Sequence, residues 1–141
     1  MKLQEYIVGL EKDDRSILAK AITLIESSLV KDKKKAAQLI DKCLSIRKKS
    51  IRIGISGTPG VGKSTFIESL GTQLTQDNNR VAVLAIDPSS KISKGSILGD
   101  KTRMRKLGNN KSAFIRPSPS KGDLGGVCNT TKDTITLCEV A

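Results

Sequence analysis

The stretch Gly57-Thr-Pro-Gly-Val-Gly-Lys-Ser64 constrains this chain more than any other. It fits G-x-x-x-x-G-K-[ST] at Gly57, Gly62, Lys63 and Ser64. A chance match to four such positions is expected in about one chain per hundred of this length or fewer, because Gly is only ~7% of residues. The flanks supply the context that the pattern needs. Arg52-Ile-Gly-Ile-Ser56 reads as a short apolar strand, and Thr65 onward reads as a helix with Phe66, Ile67, Leu70 and Leu74 on one face. Glycines let successive backbone N–H groups turn inward as an anion nest, and the helix adds the positive end of its dipole. Gly57, Thr58, Pro59, Gly60, Val61, Gly62, Lys63, Ser64 and Thr65 are therefore the phosphate-binding residues expected here. Lys63 supplies an ammonium for the outer phosphates, Ser64 an oxygen ligand suited to Mg²⁺, and Thr65 support for the innermost phosphate. The loop points to a nucleotide and does not by itself separate ATP from GTP.

Composition narrows the partners. The chain has 141 residues, a net charge of +11, no histidine, and only three aromatic residues, Tyr6, Phe66 and Phe114. The excess of cations fits an anionic partner. Nucleic acid is not expected, because the aromatics are too few and scattered to make stacking platforms. Cys43, Cys128 and Cys138 lack C-x-x-C spacing, so zinc is not expected and reduced thiols are. The longest apolar run, Val81–Ile86, is too short to span a bilayer, and the N-terminus lacks the apolar run of a signal peptide. A cytoplasmic protein without a membrane partner is the expectation.

The fold class expected is α/β: a P-loop NTPase parallel sheet with flanking helices, incomplete at the C-terminus and preceded by an N-terminal helical segment. Residues 1–50 form that helical segment and residues 51–141 the N-terminal part of the nucleotide domain. Within the first, Leu3, Ile7 and Leu10 line a short helix. Asp13 caps a second helix with Ile17, Leu18, Ala21, Ile22, Ile25 and Leu29 on its stripe. Lys31–Lys35 is a basic patch, and a third helix follows with Ala36, Ala37, Leu39, Ile40, Cys43 and Leu44 inward. Val81–Ile86 reads as a parallel strand buried on both faces, ending at Asp87, where a carboxylate is placed to orient Mg²⁺-bound water. Ser89–Gly126 is loop-rich, Phe114–Arg116 is a short strand, and Asn129–Val140 is a helix with Ile135 and Cys138 inward.

Taken together, the phosphate loop with Gly54–Thr65, Ala85-Ile-Asp-Pro-Ser-Ser90, Gly95-Ser-Ile-Leu-Gly-Asp-Lys-Thr-Arg-Met104, Phe114-Ile-Arg-Pro-Ser-Pro-Ser120 and Leu124-Gly-Gly-Val127 resemble the methylmalonyl-CoA mutase-associated GTPases. These are the MeaB/ArgK-like proteins, which an older naming calls LAO/AO transport system ATPases or kinases. The resemblance runs the length of the chain, and Gly95–Met104 is its most specific block. It implies a GTPase that binds GTP or GDP with Mg²⁺, is a homodimer when full length, and acts as chaperone to the adenosylcobalamin-dependent methylmalonyl-CoA mutase. It implies that Ser64, Asp87 and Asp100 surround the metal, that Lys63, Asp100 and Asp87 serve hydrolysis, and that Ser89–Arg105 is a first switch. Lys94 stands where the family usually has the first Gly of a pair, which puts the switch geometry in question. Thr58 stands where MinD-like relatives carry an extra lysine. The γ-phosphate-sensing strand end and the guanine-reading motif lie downstream of residue 141 in the family, so a longer protein is expected. Two other readings stay open: a catalytically inactive nucleotide- or partner-binding fragment, and an ATP-dependent transport-system kinase.

Overall fold

In the computed structural model, described residues are 1–87, 104–119 and 129–141. They fall into two compact units, one built from residues 1–51 and 127–141 and the other from residues 52–126.

The first unit is helical. Helix α1 (Leu3–Glu11) starts where the Glu5 carboxylate accepts the Lys2 N–H at 2.8 Å, and it buries Tyr6 and Leu10 one turn apart. Helix α2 (Arg15–Glu26) is capped by Asp14, whose Oδ1 accepts the N–H groups of Ser16 at 2.8 Å and Ile17 at 3.2 Å. These bonds, Ile17 first, hold the Asp14 carboxyl below its usual range. The expected cap, Asp13, is instead the turn residue, with φ 61°. Leu18, Ala21 and Ile22 are buried as expected, but Leu29 lies beyond α2 at the start of the next helix and is half exposed.

Helix α3 (Val30–Ile46) runs straight through the lysine patch. Its buried centre is Leu39 and Cys43, whereas Leu44 faces solvent. The last helix, α6 (Asn129–Val140), packs on α2 and α3. Its inward positions include Thr131, Thr134, Leu137 and Val140, while Ile135 and Cys138 are only half-buried. Threonine can face inward because its hydroxyl is satisfied locally: Thr134 donates to the Thr130 carbonyl at 2.8 Å and Thr136 to Lys132 at 3.2 Å. Glu139 then fastens the chain after α3. Its carboxylate accepts from Ser50 Oγ at 2.7 Å and meets Arg47 at 3.8 Å, and its carbonyl accepts the Lys48 N–H at 2.8 Å.

The second unit carries the phosphate loop, helix α4 (Lys63–Gln76), strand β1 (Val81–Asp87), the short helix α5 (Arg105–Asn109) and strand β2 (Ala113–Pro119). The strands pair in parallel, with Val81 opposite Ala113 and Asp87 opposite Pro119. This is the parallel α/β arrangement of a P-loop NTPase in part. Two expectations are corrected. Arg52–Ser56 forms no ladder among the described residues, and Ile53 is 60% exposed. With one described partner strand, β1 is half-buried and Ala82 faces solvent, so it is not covered on both faces.

The apolar face expected on α4 also differs. Phe66 is 55% exposed and Ile67, Leu70 and Leu74 are half-buried, whereas Gly71 and Thr75 are buried. The reason is the neighbour. The buried side of α4 turns to α5, and a Cβ on Gly71 would lie 2.6 Å from Leu107 Cδ2, so a close helix approach is possible only with glycine there.

Candidate functional site

The loop from Gly57 to Gly62 is exposed, and Lys63 and Ser64 behind it are half-buried. Its path depends on glycine. Gly60 has φ 80° and Gly62 has φ 97°, in the left-handed region. Gly62 is the residue from which α4 springs, with no side chain capping the helix. The first amides of α4 therefore keep their donors outside the helix ladder, at the positive end of its dipole. That is the electrostatic requirement for an anion site.

Lys63 is the first residue of α4, and its ammonium folds back over the loop. It donates to the Gly57 carbonyl at 2.7 Å and to the Thr58 carbonyl at 2.8 Å. No carboxylate lies within ion-pairing distance of it among the described residues. Among the described residues the cation is thus held over the loop by backbone dipoles, with no carboxylate to neutralise it. A weaker turn closes beneath it, Val61 N–H to Thr58 C=O at 3.4 Å, and α4 opens with Phe66 N–H to Gly62 C=O at 3.0 Å. Ser64 and Thr65 follow on the first turn, so the hydroxyls stand beside the open amides.

The acidic half of the expected site is described only in part. Asp87 is the last residue of β1, at the carboxyl end of the strand, and its side chain is outside the description. Asp100 and all of the expected switch Ser89–Arg105 except Met104 and Arg105 lie outside the described residues, as does Cys128. Among the described residues no group of three or more His, Cys, Asp or Glu side chains could hold a metal. No helix among them is long and apolar enough to cross a membrane.

Sequence reasoning missed one residue beside the site. Glu68 lies one helical turn after Ser64, and its Oε1 accepts the N–H of Lys106 at 2.7 Å and of Leu107 at 3.4 Å. The available signal was the run Ser64, Glu68, Thr72, polar residues every fourth position on one face of α4.

The chain is similar to known proteins in sequence and in fold. The chain is 48% identical to the mouse methylmalonic aciduria type A homolog, mitochondrial, over 93% of this chain and 34% of that protein. It is 45% identical to the GTPase ArgK of Escherichia coli, over 99% of this chain and 42% of that one. A crystal structure of an LAO/AO transport system kinase superposes with a TM-score of 0.79 at 35% identity, over 98% of this chain and 39% of that one. The chain thus spans between 34% and 42% of the length of these relatives. The family model described as methylmalonyl Co-A mutase-associated GTPase MeaB matches residues 18–141, and the chain belongs to that family.

Proposed function

We propose that this chain is the phosphate-binding part of a GTPase that serves a cobalamin-dependent methylmalonyl-CoA mutase as chaperone. The observation that carries the reading is Lys63. Its ammonium is held over the Gly57–Gly62 loop by two carbonyls, with no carboxylate partner among the described residues, beside the open amides of α4. A nucleotide polyphosphate replaces those carbonyl contacts with charge-assisted bonds to its outer phosphates. Loop amides and the helix dipole hold the remaining oxygens. Positioning and charge neutralisation of this kind supply most of the catalysis in phosphoryl transfer.

The Ser64 hydroxyl at the head of α4 and the carboxylate of Asp87 at the end of β1 are oxygen donors of the type Mg²⁺ takes. They would hold the ion, which supplies charge neutralisation between the phosphates. Asp87 and Asp100 are the residues proposed to orient the attacking water, with Asp100 carried over from the family resemblance. Guanine preference and the mutase partner are supported by the family name and the names of the relatives, and the homodimer by the family resemblance alone.

One observation favours a second reading for this chain by itself. The unladdered segment with Ile53 and Ile55 exposed suits a module that binds nucleotide without turning it over. Fluorescent mant-GDP binding and GTP turnover, measured on the wild type and Lys63→Ala, separate the two. Losing charge-assisted bonds worth ~1.5–3 kcal/mol should weaken binding about 10- to 100-fold in Lys63→Ala. Turnover above the Lys63→Ala background supports the GTPase; binding without turnover supports the second reading. Equal mant-GDP binding by both proteins refutes the role of Lys63.

A further inference from the structure

Among the described residues, the polar contacts of helix α4 with α5 run along one face. Glu68, Gly71, Thr72 and Thr75 share that face at helical spacing. Glu68 Oε1 takes the Lys106 and Leu107 amides, Gly71 admits Leu107, and Thr75 Oγ1 accepts from Asn110 Nδ2 at 2.9 Å. Of the apolar stripe beside it, Phe66 is exposed and Ile67, Leu70 and Leu74 are half-buried.

Glu68 is the pin nearest the phosphate loop. Four residues of helix separate it from Ser64, a rise of about 6 Å. Its bond is also the charge-assisted one of the seam. Helix α5 needs that bond. Its own N-cap is Met104, which makes no side-chain capping bond, so its first amides have no local acceptor. The cap comes from α4 instead. Among the described residues, the second carboxylate oxygen adds no bond to this seam. Glu68 Oε2 and Thr72 Oγ1 are buried without a hydrogen-bond partner among the described residues. A buried carboxylate oxygen left unpaired is costly, and an apolar seam would avoid that cost.

We propose that Glu68 is a positioning residue for the nucleotide site. By capping α5 it fixes the first turns of α4, and with them Lys63, Ser64 and the open amides, relative to the β1–β2 sheet. The inference rests on the nucleotide-binding reading above. Displacing a phosphate-holding group by a fraction of an ångström weakens every bond it makes, whereas loosening the far end of α4 does not.

The test compares mant-GDP affinity, with Mg²⁺ present, and thermal melting for the wild type, Glu68→Ala, Glu68→Asp, Glu68→Gln and Asn110→Ala. Gln keeps a carbonyl oxygen for the α5 amides, and its NH₂ takes the place of Oε2 near Thr72. Its affinity should stay within about threefold of wild type. Asp withdraws the carboxylate by one carbon–carbon bond, about 1.5 Å, and should bind about tenfold more weakly, as should Ala. Asn110→Ala cuts the seam at the end away from the loop and should lower the melting temperature with affinity unchanged. If Glu68→Ala does not fold, the Gln and Asp pair decides. Wild-type affinity in both Glu68→Asp and Glu68→Ala overturns the inference, as does a loss in Asn110→Ala equal to theirs. A wild type that binds no mant-GDP overturns the nucleotide reading, and this inference with it.

Discussion

Gly62 is the residue on which the loop turns. Its φ of 97° suits glycine, and among the described residues a Cβ added there would meet no atom within 4 Å. Gly62→Ala should therefore act through the backbone and not through a clash. An L-residue in the left-handed region costs about 1–2 kcal/mol. The chain can avoid that cost only by re-aiming the start of α4. The expected result is a melting temperature lowered by several degrees and mant-GDP binding weakened more than stability alone explains. Binding equal to wild type would show that the amide directions tolerate a different φ. The glycine was legible in the sequence because the motif spacing demanded it. The Asp13–Asp14 pair was not. Both residues can cap a helix or adopt a left-handed turn, and the choice depends on the α1–α2 turn, where the Asp14 N–H reaches the Gly9 carbonyl at 2.9 Å.

At the scale of elements, helices α1 to α3, strand β1 and strand β2 were legible because period and punctuation mark them locally. What escaped was the direction each element faces. The α4 stripe of Phe66, Ile67, Leu70 and Leu74 is the more apolar one, yet the helix turns Gly71 and Thr75 inward, because α5 offers Leu107 and Asn110. Helix α6 shows the same limit, burying threonines whose hydroxyls bond back within the helix. A stripe read from one chain segment cannot include the neighbour that selects it. The α4–α5 packing makes a sharp prediction. A methyl group at position 71 would sit 2.6 Å from Leu107 Cδ2 and 3.0 Å from Cδ1, inside van der Waals contact. Gly71→Ala should destabilise by about 1–3 kcal/mol despite alanine's better helix propensity. Leu107→Ala in the same chain should recover part of that loss, seen as non-additive shifts in urea midpoint. Additive losses would mean that the two residues do not share a contact.

Across the whole molecule, the two described thiols both belong to the helical unit, and both are pushed toward the neutral form. Burial first, then the Glu11 charge, raises Cys43 from 9.0 to about 11. Burial first, then Glu139, raises Cys138 from 9.0 to about 12. A folded value above the unfolded one means that the unfolded chain releases its proton earlier. The stability from keeping each thiol neutral is then fully present below pH 9.0 and is lost as pH climbs toward about 11 for Cys43 and about 12 for Cys138. Asp14 works with the opposite sign: its lowered value contributes stability that is present above the ordinary 3.8 and lost as pH falls below it. The helical unit should thus be held at both ends of the pH scale by different groups, buried thiols at the alkaline end and an exposed helix cap at the acid end. The alkaline limb is assigned to these two thiols because burial raises both. Urea midpoints followed by helical circular dichroism should be flat from pH 7 to 8.5 and fall above 9. Cys43→Ala/Cys138→Ala should start lower, from the volume removed, and fall less steeply over the same range. An equally steep fall in the double variant would show that the thiols do not cause the alkaline loss.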